Sequence, residues 1–178
     1  MLLREEGGYS LIELLTTMAI LSVILGGVVT LFVAGSNADA DMNRRYRAQY
    51  NARLALDRLR RDAHGACGLA TGYTSSSVTL YQYSGGACSS ATFTWCTIGS
   101  GTRYALYRNS GTTCAVGPRY ADYLTTGAVF TYTPQNTPSG TYTLARLTAD
   151  FQINLTPTKT VNAYRLRDDV AFRNSPRS

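Results

Sequence analysis

At 178 residues the chain has room for one moderate domain beside a long helix, and too little for two full domains. It carries 17 Lys+Arg against 11 Asp+Glu, a formal charge of +6; setting aside Arg4, Glu5, Glu6 and Glu13 leaves 16 basic and 8 acidic residues from Asn37 onward. A single histidine and four cysteines without C-x-x-C spacing do not supply a typical mixed zinc set. No catalytic constellation, cofactor or metal site is therefore expected.

The chain opens with a short polar leader, Met1–Gly8, ending in Gly7-Gly8. The segment Tyr9-Ser10-Leu11-Ile12-Glu13-Leu14-Leu15 follows, and an apolar core of 21 residues runs from Leu14 to Ala34. That length spans a bilayer and exceeds a usual signal-peptide core. Glu13 sits at its mouth, where hydrocarbon penalises an ionised carboxylate by up to about 2.5–3.5 kcal/mol. Something must neutralise it. A new amine on Tyr9, made by cutting after Gly8, would lie four residues away, about one helical turn.

The block GGYSLIELL resembles the processing signature of type IV prepilins and pseudopilins. In that family a prepilin peptidase cuts after the glycine and methylates the new N-terminus. The resemblance implies processing between Gly8 and Tyr9 and makes Glu13 the assembly glutamate. Tyr9 stands where the family usually has Phe. The leader has one basic residue, Arg4, against Glu5 and Glu6, whereas family leaders are usually basic. The runs Arg53–Asp62 and Leu166–Asn174 are similar to the W-type minor pilins and J-type pseudopilins. Implied partners are other pilins, the peptidase, an assembly platform with its ATPase, and membrane lipid before assembly. The implied location is the cytoplasmic membrane with the C-terminal domain outside, then a filament. Two features oppose this reading. A signal peptidase cut near Ala38-Asp39-Ala40 would release a soluble domain, and Arg44, Arg45 and Arg47 beyond the span outnumber Arg4 before it, against the positive-inside rule.

Ser22, Gly26 and Thr30 form a small-residue stripe of the kind that lets membrane helices approach closely. Gly35-Ser36-Asn37 could bend the helix without ending it. From Asp39 to His64 the pattern is amphipathic: Ala52, Leu56, Leu59 and Ala63 share an apolar face, and Met42, Tyr46 and Tyr50 lie on a rotated one. Asp57 is placed to pair with Arg53 or Arg61. Gly65 is a plausible stop.

After Gly65 the composition turns to Thr, Ser, Gly and Tyr. Expected strands are Val78–Tyr83, Ala91–Ile98, Arg103–Arg108, Val129–Thr133, Arg146–Thr156 and Val161–Arg167. Gly99-Ser100-Gly101 reads as a hairpin turn, and Pro134–Gly140 as a polar loop. The fold class is α+β: a long N-terminal helix, its first half membrane-spanning, packed on a largely antiparallel sheet. The organisation is leader 1–8, assembly helix 9–35, helix extension 36–64, β-rich domain 65–173 and flexible tail 174–178.

Cys67, Cys88, Cys96 and Cys114 admit three pairings, of which Cys67 with Cys88 and Cys96 with Cys114 is favoured. Four thiolates on one zinc are disfavoured by their long separations beyond a membrane anchor. His64 reads as a helix-end residue. Asp168-Asp169 reads as a solvated strand end rather than a calcium site, and the sequon at Asn154 as a chance match. An alternative function is a tethered or secreted binding domain, including a DNA-binding pilus tip. Its pool of cations would be Arg44, Arg45, Arg47, Arg58, Arg60, Arg61, Arg103, Arg108 and Arg119.

Overall fold

The computed structural model describes residues 9–135, 143–156 and 163–174. It is an α+β fold, one long N-terminal helix with an antiparallel sheet of eight strands. Two compact units divide the chain after Asn43, inside the helix.

Helix α1 runs Leu11–His64 without interruption, Gly35-Ser36-Asn37 included. Its start is set by Ser10, whose carbonyl accepts the N–H groups of Glu13 at 3.0 Å and Leu14 at 3.2 Å. Ser10 and Glu13 stand at the Ser-x-x-Glu spacing of a capping box. In the first unit every described residue from Tyr9 to Ala40 is exposed, apolar side chains included. The hydroxyls of the small-residue stripe turn back into their own helix: Ser22 donates to the Ala19 carbonyl and Thr30 to that of Gly27.

In the second unit α1 becomes an ordinary core helix. Ala48, Ala52, Ala55, Leu56, Leu59 and Ala63 are buried, the expected face widened by Ala48 and Ala55. Asp57 pairs with neither Arg53 nor Arg61; its partner is Arg60 at 3.4 Å, three residues on. The helix ends at His64, with the Gly65 N–H on the Arg61 carbonyl at 3.1 Å. Asn174 is not a loose tail residue, because its Nδ2 donates to the His64 carbonyl at 3.0 Å and caps the helix.

The strands are β1 Ala66–Leu69, β2 Ser77–Ser84, β3 Ala87–Ser100, β4 Arg103–Ser110, β5 Arg119–Leu124, β6 Phe130–Thr133, β7 Arg146–Ile153 and β8 Tyr164–Ala171. Their order is β1-β2-β3-β4-β5-β7-β6, with β8 on the other edge of β7. All pairings are antiparallel. Two strands escape the expected set: β1 is only four residues long, and β5 lacks a strict apolar alternation. The β2–β3 hairpin turns on Gly85 and Gly86, both at positive φ as tight hairpins require. At the β3–β4 turn a Cβ on Gly99 would run into the Arg103 carbonyl.

In β7, Leu147, Ala149, Phe151 and Ile153 alternate into the core as expected. The strand stops there, short of Thr156: the Asn154 N–H turns to the Tyr123 carbonyl, and Asn154 Oδ1 accepts the Thr156 N–H. Asn154 is buried, which suits the chance reading of its sequon. Strand β8 reaches Ala171, so Asp168-Asp169 is mid-strand and not a solvated end. Asp168 holds Arg60 at 2.6 Å, and Asp169 accepts the Thr148 hydroxyl. Residues 136–140 of the expected loop, 161–162 of the expected strand and 175–178 lie outside the described residues.

Candidate functional site

Four sets of residues carry what chemistry the chain has. The first is the N-terminal segment. Gly8 lies outside the described residues. Tyr9 is exposed and directly precedes the Ser10 cap, and Glu13 occupies the first turn of α1. The partial positive charge at a helix N-terminus favours a carboxylate at that position, a source of neutralisation independent of the Tyr9 amine. From here α1 presents a continuous apolar surface long enough to cross a membrane.

The second set is the cysteines, joined as Cys67–Cys88 and Cys96–Cys114, which close sequence separations of 21 and 18 residues. Cys67–Cys88 ties β1 to the start of β3 around β2. Cys96 follows Trp95 on β3, so the two point to opposite faces of the sheet. Trp95 enters the main core under α1, whereas Cys96 joins Ala105, Tyr107 and Ile98 in a small cluster of its own. The second disulfide therefore covers a face that the helix does not reach. Among the described residues no group of three or more His, Cys, Asp or Glu could hold a metal.

The third set is a buried polar lock that the periodicity reading did not single out. Asp62, 7 % exposed, belongs to the buried face of α1. Its Oδ2 accepts the Trp95 indole N–H at 3.0 Å and the Arg108 Nε–H at 2.6 Å, and its Oδ1 accepts Arg108 Nη2 at 3.3 Å. The Arg108 guanidinium also lies 3.7 Å from the centroid of the Phe93 ring. One carboxylate thus fastens the helix to β3 and β4. The legible signal was its spacing, since Asp62 continues the row Ala52, Ala55, Leu59 at helical intervals.

The fourth set is the arginines, which the structure sorts. Arg108 is spent on Asp62, Arg60 on Asp168, and Arg103 on Asp122 with its guanidinium 4.5 Å over the Tyr123 ring. These three leave the pool proposed for a polyanion. Arg165 and Asp150 pair across β7 and β8 at 2.5 Å. The Arg165 hydrogen bonds hold the Asp150 carboxyl below its ordinary range, against a smaller opposing effect of burial. Arg119 pairs with Asp122 as well, at 2.7 Å, and Arg58 lies 3.5 Å from Asp62.

Against known proteins, residues 3–29 match the family model of the prokaryotic N-terminal methylation motif. That match covers the N-terminal motif alone; it supports a likeness to type IV pilin-like proteins and processing by a prepilin peptidase. The motif and the apolar helix fit membrane anchoring. No curated protein and no solved structure matches the chain.

Proposed function

We propose that the chain is a minor pilin or pseudopilin, a structural subunit cut between Gly8 and Tyr9, methylated on the new amine and assembled into a type IV pilus or type II secretion pseudopilus. The observation that carries this reading is the methylation motif at residues 3–29, running into a helix whose residues Leu11–Ala40 are all exposed. So large an apolar surface is stable only in lipid or against other helices. Residues 9–35 serve as anchor and assembly helix, and 65–173 as the domain displayed outside. Two disulfides suit an oxidising compartment on that side of the membrane. The minor-subunit assignment rests on the likeness of Arg53–Asp62 and Leu166–Asn174 to W- and J-type subunits.

Assembly proceeds by charge pairing. The methylated Tyr9 amine stays cationic, and Glu13 neutralises it, or a neighbour's, as the subunit leaves lipid. The test is expression with and without the prepilin peptidase, reading the mature N-terminus by intact mass and peptide sequencing. A peptidase-dependent N-methylated Tyr9 is expected; an uncut chain, or a cut near Ala40, would overturn the proposal. In cells, Glu13→Ala should abolish incorporation into filaments while the unassembled subunit stays in the membrane. Normal incorporation of that variant would remove Glu13 from the mechanism.

A further inference from the structure

Strand β2 sends Val78 and Leu80 into the main core, so Ser77, Thr79 and Tyr81 point to the opposite face of the sheet. There they floor a hollow of about 250 Å³. Its walls are Thr71 and Tyr73, from the β1–β2 connection, and Thr112, from the segment that follows β4.

Both walls are held by the fold itself. The Ala70 N–H donates to the Thr79 carbonyl at 2.8 Å, and Thr74 and Ser77 exchange backbone hydrogen bonds at 2.8 and 3.3 Å. Between them the chain turns at Gly72, whose φ is 85°. The Tyr73 ring rests edge-on against Tyr132 at 5.1 Å, yet stays 48 % exposed. On the other side, the Cys96–Cys114 disulfide anchors the segment that carries Thr112. Gly111 is gripped as well: its N–H donates to the Thr92 carbonyl at 2.9 Å, and its carbonyl accepts the Thr94 hydroxyl at 2.7 Å.

The lining selects a ligand class. The hollows beside α1 are edged by arginines, whereas this one is lined by hydroxyls and aromatic rings, with no charged side chain among the described residues. The Thr79 hydroxyl is taken up by that of Thr94 at 2.8 Å. Among the described residues no hydrogen bond engages the side chains of Thr71, Tyr73, Ser77, Tyr81 or Thr112. A purely apolar ligand would strand those hydroxyls, and an ion would find no countercharge. A sugar ring meets both demands. Its C–H face lies against tyrosine, and its hydroxyls exchange hydrogen bonds with groups that can each donate and accept. The volume lies below the about 300–1,000 Å³ of drug-sized pockets, which limits the occupant to a single ring.

We propose that this hollow binds one neutral hexopyranose unit of a saccharide. Sugar binding needs no filament, and its test is run on unassembled subunit, so it can fail separately from the assembly role.

The full mature chain is held in lauryldimethylamine oxide, a detergent without a sugar headgroup. It is titrated with methyl β-galactoside, methyl β-glucoside and methyl α-mannoside, following saturation transfer from protein to sugar protons by NMR. At least one hexoside should bind saturably in the millimolar range, as so few ligand atoms allow. Tyr81→Ala and Tyr73→Ala should each weaken that binding roughly tenfold. Tyr81→Phe, which keeps the ring, should weaken it less than Tyr81→Ala, and Thr112→Val should weaken it by roughly threefold or more. The control Tyr50→Ala, an exposed ring on α1 outside the hollow, should bind as the parent does. Trp95 emission verifies the fold of each variant. The proposal is overturned if none of these hexosides binds saturably, or if the variants in the hollow behave like Tyr50→Ala. It is equally overturned if sorbitol, with hydroxyls but no ring, or the anionic N-acetylneuraminate binds as tightly as the best hexoside.

Discussion

Removing the carboxylate of Asp62 tests how the helix is held to the sheet. In Asp62→Ala the Arg108 side chain, 12 % exposed, loses both its hydrogen bonds, and the Trp95 indole N–H, in a residue of 0 % exposure, loses its acceptor. Breaking a buried ion pair from one side costs about 3–5 kcal/mol, because the surviving charge stays desolvated. For a unit of this size that lowers the melting temperature by roughly 10–25 °C. Replacing both partners, as Asp62→Leu/Arg108→Met, removes the stranded charge and should cost less than either single change, a strongly non-additive cycle. Trp95 is the only tryptophan and lies at the lock, so its emission during urea and thermal unfolding reports the transition directly. A loss under about 1 kcal/mol for Asp62→Ala, or singles that simply add in the double variant, would refute the lock.

Loss of either disulfide, as Cys67→Ser/Cys88→Ser or Cys96→Ser/Cys114→Ser, should destabilise the second unit by about 3 kcal/mol on the chain-entropy account, read from urea midpoints. Equal stability of oxidised and reduced protein would contradict this. Ala52→Leu, at a helix position with no exposed surface, should cost about 1–3 kcal/mol through overpacking, whereas Tyr46→Leu on the exposed side should change stability little. For Asp150 the sign follows from its depressed folded-state pKa. The Arg165 pair contributes fully above the ordinary carboxylate value of 3.8, and its contribution fades as pH falls through the lower folded value. Stability of Asp150→Asn should accordingly be flatter than the parent's below pH 4; parallel acid profiles for the two proteins would contradict the assignment.

Much of the fold was legible because it rests on local pattern. A 21-residue apolar run can only be a span or a buried helix, and the row Ala52, Leu56, Leu59, Ala63 leaves one face for a core. Alternation in Leu147–Ile153 similarly marks a half-buried strand, since successive side chains must point to opposite faces. The processing motif needed only adjacency in sequence: leader, junction, acid and apolar run are consecutive.

What pattern did not reveal depends on partners far apart in the chain. Spacing puts Asp62 in the buried row of α1, but its partners Trp95 and Arg108 come from β3 and β4, 33 and 46 residues away. Strand β5, from Arg119 to Leu124, has no periodicity of its own and exists because β4 and β7 present unpaired backbone to it. The same holds for the arginines. Composition supplied nine equivalent cations, and only folding set Arg108 and Arg58 against Asp62, Arg60 against Asp168, and Arg103 and Arg119 against Asp122. The sequence by itself determined the apolar run, the helix face and the methylation motif, because covalent order and hydrophobic burial act over a few residues. The partners in the helix-to-sheet lock were decided by tertiary structure, because charges interact through space and the chain does not record which will meet.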